Sequence, residues 1–273
     1  MIFEAHRQQL QLKYGLPEAL VRSLEESGEV CSLSPSEVRD HLGRTDIDSS
    51  GFLLKYPRNG ASTIRLDIPH VNGDGKPQKY LRRKGEPNYL FNPGVDLSQA
   101  GDLWIVEGEL KALCGHAQGL PIVGLSGVYN WRTSGPEAEL LANGEKLKDD
   151  EALLPELAQV NWDGKKVTLL YDSDIVPGHK ARDAFPRLAE QLYRLGAEEV
   201  RVLTLPPVAK EGKTGLDDFI LARKEQALQD LQAMKDRAEP YLPFRDGGVA
   251  FAERLIKSDS LEDKQKAVVA YLG

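Results

Sequence analysis

Hydrophobic and polar positions change their rhythm twice along the chain. Residues 4–44 carry apolar side chains at helical spacing, so we expect helices there, one of them opened by a capping box of Ser34 and Glu37. Residues 51–92 instead break into short apolar runs that are cut by Pro, Gly and Asn, which is typical of strands. Between two of these runs, "HVNGDGK" predicts a hairpin turn.

From Asp102 onward, strand-like runs alternate with helical segments. The strand-like runs are LWIVE, PIVGLSG, KKVTLLYD and EEVRVLTLP, and the helical segments are GELKALCGHAQ, HKARDAFPRLAEQLYRL and LDDFILARKEQALQDLQAM. This alternation predicts an α/β fold with a parallel sheet, right-handed crossovers and flanking helices. Pro186 should kink or split the second helix, because proline lacks the backbone N–H that a helix interior uses.

These changes of pattern predict three parts. Residues 1–100 form an N-terminal helical and β-rich basic domain, residues 101–237 form the α/β domain, and residues 238–273 form a C-terminal helical extension.

The composition is that of an ordinary soluble protein, with 273 residues of which 41% are hydrophobic and 28% charged. No apolar run approaches the roughly 18 residues that a membrane span needs, and the N-terminus lacks the apolar core of a signal peptide. We therefore expect a cytoplasmic protein with no membrane contact. Cys31 and Cys114 lie far apart and outside any CxxC, so no structural zinc site is predicted, and Cys114 is expected to be a small buried hydrophobe.

A net charge of −7 does not favour nucleic-acid binding by the chain as a whole. One stretch, "GKPQKYLRRKG", is nevertheless basic throughout. We expect this stretch, called the basic ribbon, to contact nucleic-acid backbone through its cations and its interleaved tyrosine; its members are Lys76, Lys79, Tyr80, Arg82, Arg83 and Lys84. The alternative is a solvated basic hairpin.

Acidic residues follow two of the predicted parallel strands. Glu107 ends the first strand of the α/β unit, Asp172 ends the third, and Asp174 points to the same side as Asp172 if the chain stays extended. If these strands are neighbours, the carboxylates converge, and two such charges ~5 Å apart repel by roughly 3 kcal/mol at an effective dielectric near 20. A cation would relieve that repulsion, and oxygen ligands suit Mg²⁺ or Mn²⁺.

The alternative for these acids is structural. Glu107 and Asp172 are also placed to cap the helices that follow their strands, and Glu107 stands four residues before Lys111, the spacing of an ordinary helical ion pair.

"VEGELKALCGHAQGLPIVGLSGV" followed by "LLYDSD" resembles the TOPRIM domain, which bacterial-type primases, topoisomerases and some nucleases share. The TOPRIM pattern is a Glu after the first strand, a Gly after the second and Asp-x-Asp after the third, here Glu107, Gly127, and Asp172 with Asp174. The combination of EGELKA, GLSGVYNW, YDSD and GKTGLDDFI is most similar to the TOPRIM-like domain of plasmid, phage and mobile-element primase-like proteins. These motifs span residues 104–220.

The resemblance implies roles for these residues. Glu107 would act as general acid or base or share a metal, and Asp172 with Asp174 would bind Mg²⁺ or Mn²⁺. Of the late acids Asp217 and Asp218, Asp218 is taken as a further metal ligand, with a helix N-cap as the alternative. Lys180 and Lys213 are candidates for phosphate contact. The "GKT" at Lys213 is not a phosphate loop, because Pro207 stands where that motif requires glycine.

The resemblance therefore implies metal-dependent nucleotidyl transfer on single-stranded DNA by a primase or primase-like replication protein of a mobile element. Its partners would be a single-stranded DNA template and nucleoside triphosphates, with a replicative helicase as a further candidate. The alternatives are a TOPRIM nuclease and a non-catalytic nucleic-acid-binding module. Unlike replicative primases, the sequence shows no zinc ribbon and no helicase motifs.

Overall fold

The computed structural model describes residues 1–133, 153–176, 179, 181–208 and 212–242. The helix predicted near the C-terminus and most of the predicted extension at 238–273 lie outside these ranges. No helix in these ranges is both long enough and apolar enough to cross a membrane.

The N-terminal part consists of short helices packed on an antiparallel sheet. In chain order its elements are α1 (Glu4–Gln8) continuing into a π-helical turn (Gln9–Lys13), α2 (Glu18–Glu26), β1 (Val30–Leu33), α3 (Pro35–Leu42), β2 (Gly51–Lys55), β3 (Ser62–Val71) and β4 (Pro77–Leu81). The four strands lie in the order β1-β2-β3-β4, and each neighbouring pair is antiparallel. The predicted hairpin turn joins β3 to β4, where the Asn72 side chain accepts the backbone N–H groups of Asp74 and Lys76.

The helical prediction for residues 4–44 is wrong in one place. Val30–Leu33 is a strand, because it pairs with β2 from Val30 opposite Leu54 to Leu33 opposite Gly51. A four-residue strand carries too little local pattern to be distinguished from its helical surroundings. The capping box at Ser34 and Glu37 is confirmed.

The second part is a mixed α/β unit with a largely parallel sheet. Its elements are β5 (Leu90–Phe91), β6 (Asp102–Glu107), α4 (Glu109–Ala117), β7 (Ile122–Leu125), α5 (Pro155–Ala158), β8 (Lys166–Tyr171), α6 (Ala184–Arg194), β9 (Glu199–Thr204), α7 (Leu216–Arg223), a 3-10 turn (Lys224–Gln226) and α8 (Ala227–Arg237). The strand order is β5-β7-β6-β8-β9, with β5 antiparallel and the other strands parallel. The predicted parallel sheet is thus present. Its antiparallel edge strand β5 comes from the strand-like runs predicted over residues 51–92, which the sequence pattern assigns to the N-terminal part and not to this sheet.

Two helix predictions need correction. The helix expected from residue 179 begins only at Ala184, so Pro186 lies in its first turn, where a missing N–H breaks no helical hydrogen bond. The single helix expected over residues 216–234 is divided at Lys224, whose φ of +51° lies outside the right-handed helical region.

One hydrophobic core joins the two parts of the chain. Phe52 and Leu54 of β2 belong to the same buried cluster as Trp104 and Val106 of β6. A second cluster fills the opposite side of the five-stranded sheet, beneath α6. The N-terminal part therefore shares the first cluster with β6 and with the helices α4, α7 and α8. The domain boundaries at residues 100 and 237 stay a prediction.

Candidate active site

The strands that carry the predicted acids are neighbours. β6 lies between β7 and β8, with Val106 opposite Leu170 and Glu107 opposite Leu125. Glu107 is the last residue of β6, and Asp172 directly follows β8. The condition that the two strands are neighbours is therefore met. The chain does not stay extended to Asp174, however, because residues 173–174 form a turn, so Asp172 is buried whereas Asp174 is exposed. We call Glu107, Asp172 and Asp174 the acidic edge.

Asp172 is a buried carboxylate held by two lysines. Its side chain is 2% exposed, and Lys111 Nζ donates to both carboxylate oxygens at 2.7 and 2.6 Å. Lys213 Nζ donates to Oδ2 at 2.9 Å from the loop before α7. Burial of one carboxylate is compensated here by two cations of the chain itself, as a buried charge requires.

The middle residue of Asp-Ser-Asp fixes the loop that carries Lys213. Ser173 N–H donates to the Thr214 carbonyl at 3.0 Å, and Thr214 N–H donates to Ser173 Oγ at 2.7 Å. Thr214 is itself buried, with 2% exposure. This pair of hydrogen bonds places the residue before Thr214, which is Lys213, beside Asp172.

Glu107 is partly buried, and its surroundings disfavour the charged form of its carboxyl group. Burial raises the pKa of its carboxyl group; Lys111 opposes that rise, and the negative charges of Asp172 and Asp174 add to it. Within the described ranges, neither the Glu107 nor the Asp174 carboxylate accepts a hydrogen bond or forms an ion pair. These two side chains are consequently open to a ligand, whereas Asp172 is engaged.

The structural alternatives for Glu107 and Asp172 are wrong. The N-cap of α4 is Gly108, with no side-chain cap bond, and α6 begins at Ala184, well beyond Asp172. The ion pair expected between Glu107 and Lys111 is not formed either, because the Lys111 ammonium group reaches Asp172 instead. Neither acid is therefore explained by capping.

Asp218 is not the N-cap residue of α7, as the alternative supposed, but it does bond to the N-cap from the third helical position. Its Oδ2 accepts the N–H of Gly215, the N-cap residue of α7, at 3.0 Å. Asp217 is 8% exposed, and its Oδ1 has no hydrogen-bond partner. Burial raises the pKa of Asp217, Lys111 opposes that rise, and Asp218 adds to it. A metal role for Asp218 stays a prediction and would compete with its cap.

The carboxylates of the acidic edge are suitable ligands for Mg²⁺ or Mn²⁺, but their positions in the structure do not form a three-ligand metal site. Carboxylate oxygens are the ligands these ions prefer. In the part of the chain that the structure describes, however, no group of three or more His, Cys, Asp or Glu side chains is placed to hold a metal. Glu107 and Asp174 offer unengaged carboxylates, whereas Asp172 would first have to exchange a lysine.

The members of the basic ribbon differ in their surroundings. Lys76, Lys79, Tyr80, Arg83 and Lys84 are exposed, although Arg83 Nε donates to the His41 carbonyl at 3.0 Å. Arg82 is partly buried: its guanidinium group donates to the Pro87 carbonyl at 2.9 Å and lies 5.7 and 5.9 Å from the rings of Tyr56 and Tyr89. Arg82 therefore supports the fold, and nucleic-acid contact by the ribbon stays a prediction.

Of the two lysines proposed for phosphate contact, only Lys213 can be placed. Lys180 lies outside the described residues.

Sequence reasoning missed a second buried carboxylate in the same motif. Glu109 is 3% exposed, and its Oε1 accepts hydrogen bonds from Tyr56 OH at 2.6 Å and Thr63 OH at 2.9 Å. Tyr56 and Thr63 belong to the N-terminal part, so these bonds connect the two parts of the chain. We call Glu109, Tyr56 and Thr63 the buried joint. Its only sequence signal is an acid inside a helix whose neighbours are apolar.

Comparison with known proteins gives two matches. Residues 98–227, which include the acidic edge, match a family described as a domain of unknown function (DUF3854). A crystal structure of the Aquifex aeolicus primase, comprising its zinc-binding and RNA polymerase domains, is similar at 20% identity and a TM-score of 0.44, over 97% of this chain. This chain spans 59% of that primase chain. No curated protein matches the sequence.

Proposed function

We propose that the acidic edge catalyses metal-dependent nucleotidyl transfer on single-stranded DNA, as a TOPRIM domain in a primase or primase-like replication protein of a mobile element. The observation that carries this proposal is the contrast within the edge. Glu107 is partly buried with a raised pKa and has no hydrogen-bond or ion-pair partner among the described residues, while two lysines hold Asp172. Perturbed groups gathered at the carboxyl end of a parallel sheet are typical of a functional site.

Glu107 is the residue proposed to move a proton. A carboxyl group with a raised pKa is closer to the protonation balance that general acid–base catalysis needs near neutral pH. We propose that Glu107 accepts the proton of the attacking hydroxyl group of the primer or initiating nucleotide, while that oxygen bonds to the α-phosphorus of the incoming nucleotide and pyrophosphate leaves. An Mg²⁺ or Mn²⁺ ion, when bound, would neutralise charge on the phosphoryl group being transferred.

Glu107 and Asp174 would hold that ion, because no described residue engages their carboxylates. The family resemblance adds Asp172 and Asp218 to the ligand set, and both already have other partners.

Lys213 is proposed to bind the triphosphate of the incoming nucleotide. Burial by itself lowers the pKa of Lys213, but the hydrogen bond to Asp172 and the charges of Asp172, Asp174 and Glu107 outweigh burial, so the pKa is raised. Lys213 is therefore cationic at neutral pH, and its side chain is 54% exposed, which leaves it accessible to phosphate. Lys180 is proposed for the same task.

The basic ribbon is proposed to contact the template backbone. Its exposed cations lie on and just after β4, so they belong to the N-terminal part, while the acidic edge belongs to the parallel sheet. Such a division would place template binding and chemistry on separate segments of the chain.

Incubation with labelled nucleotides, a single-stranded DNA template and Mg²⁺ or Mn²⁺ tests the proposal. Extended product that depends on template supports nucleotidyl transfer. Cleavage of the template without extension would replace the proposal with a TOPRIM nuclease. A gel shift with neither product would leave only a nucleic-acid-binding module.

A further inference from the structure

We propose that Lys111 is a built-in cation that takes the place of a divalent metal ion at Asp172. Metal at this edge would then be held by Glu107 and Asp174, with the Asp172–Lys111 pair as a permanent part of the site. The inference rests on the proposed function for the role of the edge, but its test measures metal binding and not turnover.

The first support is the geometry of the pair. The Lys111 ammonium group lies 2.7 and 2.6 Å from the two carboxylate oxygens of Asp172, so one cation bridges both oxygens. A divalent ion bound by the same carboxylate would need the oxygens that these hydrogen bonds occupy. With its side chain 2% exposed, Asp172 has no solvent-facing alternative.

The second support is that the fold keeps a passage open for the Lys111 side chain. A methyl group on Gly215 would lie 2.8 Å from Cε of Lys111, which is closer than carbon atoms approach without displacement. On the other side, a methyl group on Gly108 would contact the Lys111 side chain from 3.7 Å outward. Lys111 is thus placed by α4 and passes between two glycines, and its side chain is only 16% exposed.

The third support is a second acid beside Lys111. A methyl group added at Gly215 would lie 2.5 Å from Oδ1 of Asp217 and 2.8 Å from Cε of Lys111, so the buried Asp217 carboxylate lies beside the Lys111 side chain. Removal of the Lys111 ammonium group would leave Asp172 and Asp217 buried without this compensating charge. The ammonium group is accordingly part of the charge balance of the fold.

Lys213 differs from Lys111 in each of these respects. It contacts one oxygen of Asp172, at 2.9 Å, and its side chain is 54% exposed on a loop. Lys213 can leave Asp172 without stranding a buried charge, whereas Lys111 cannot. This difference assigns the permanent role to Lys111 and leaves Lys213 free to move to phosphate.

The test is Mn²⁺ binding to the full chain, measured by the decrease of the free-ion signal in electron paramagnetic resonance. The substitutions are Lys111→Met, Lys213→Met and Asp172→Asn, alone and in combination. We expect Asp172→Asn to lower Mn²⁺ affinity and Lys213→Met to raise it, each by clearly less than about tenfold, because each changes one charge near the ligands without changing the ligands themselves. Lys111→Met together with Lys213→Met should raise affinity at least about tenfold, because a nearby positive charge opposes a second cation. Adding Asp172→Asn should abolish that gain.

Lys235→Met is the matched control for net charge. Lys235 is also a buried lysine paired with an acid, Asp102, on another edge of the sheet. Its removal should not raise Mn²⁺ affinity.

Two results would overturn the inference. One is a tenfold loss of Mn²⁺ affinity in Asp172→Asn alone, which would make Asp172 a ligand in the native protein. The other is a gain of about tenfold or more in Lys213→Met alone that Asp172→Asn abolishes, which would show that Lys111 does not block the carboxylate. Lys213→Met changes a half-exposed side chain on a loop, so this variant should fold. Its Mn²⁺ affinity therefore tests the inference even if Lys111→Met does not fold.

Discussion

The motif EGELKA places two glutamates two residues apart in opposite surroundings. Glu109 is buried in the joint, where two hydroxyl groups of the N-terminal sheet satisfy one of its oxygens. Glu107 belongs to the acidic edge, where no described residue bonds to its carboxylate and neighbouring acids help to raise its pKa. Glu109 thus connects the two parts of the chain, whereas Glu107, two residues earlier, lies at the acidic edge.

This comparison separates what holds the fold together from what is available for chemistry. At the joint, the Glu109 carboxylate is 3% exposed and accepts hydrogen bonds from two neutral hydroxyl groups, those of Tyr56 and Thr63. At the edge, two lysines compensate Asp172, while no residue that the structure describes bonds to the Glu107 or Asp174 carboxylate. Substitutions at the joint should therefore affect stability, and substitutions at the edge should affect binding and turnover, with Asp172 contributing to both.

Asp172→Asn should have the largest effect on stability, because it strands the buried Lys111 ammonium group. Removal of one partner of a fully buried ion pair costs about 3–5 kcal/mol, so we expect roughly 3 kcal/mol here, where Lys111 keeps some exposure. Urea denaturation measures this change. The combination with Lys111→Met should recover most of the loss; if it adds a further loss instead, the two residues do not act as a pair.

Tyr56→Phe should be next in size, since it removes one of the two donors to the buried Glu109 carboxylate. A hydrogen bond to a charged group contributes about 1.5–3 kcal/mol, and the ring contact with Phe91 is kept. Tyr241→Phe is the control, because its hydroxyl group lies 3.5 Å from Glu190 and contributes little. Equal free energies of unfolding for the two variants would mean that the joint does not stabilise the fold.

Glu107→Gln should raise the melting temperature slightly at about pH 7.5. The folded-state pKa of Glu107 is raised, so the charged carboxylate costs stability above that pKa, and the cost disappears as pH falls toward the unfolded-state value. The melting temperatures of the variant and the unsubstituted protein should converge by about pH 4. A variant that is less stable near neutral pH would return Glu107 to a structural role.

Exchange of exposed ribbon cations should have the smallest effect on stability. Lys76→Ala with Lys79→Ala should leave the free energy of unfolding within about 0.5 kcal/mol. The same change should flatten the salt dependence of single-stranded DNA binding, by roughly 0.7 in slope for each phosphate group that the two lysines neutralise. The exposed lysines Lys13 and Lys224 serve as the control pair. An unchanged slope for the ribbon pair would move the DNA-binding surface elsewhere.

The sequence pattern was sufficient for the parallel sheet and for the position of its acids. LWIVE and KKVTLLYD are apolar runs of strand length, and the acid that ends each run lies at the carboxyl edge wherever the strand falls in a parallel sheet. Their adjacency had to be assumed, because strand order depends on packing that no local pattern encodes.

Partners distant in sequence were not predictable from spacing. Lys111 stands at the helical spacing from Glu107, yet its ammonium group lies on Asp172, which the sheet brings next to α4. Glu109 meets Tyr56 and Thr63 only when the N-terminal part packs against α4. The strand β1 was missed for a related reason, since it is specified by its pairing with β2.

The most direct test of the central claim compares Glu107→Gln with Glu109→Gln in template-dependent incorporation of labelled nucleotides, with the folded fraction of each variant measured in parallel. Glu107→Gln should fold fully and lose about 10²–10⁴-fold in rate, the usual contribution of a general acid or base. Glu109→Gln should lose stability but keep the rate per folded molecule. Full activity in Glu107→Gln, or the same loss of rate per folded molecule in both variants, would contradict the assignment of catalysis to the acidic edge.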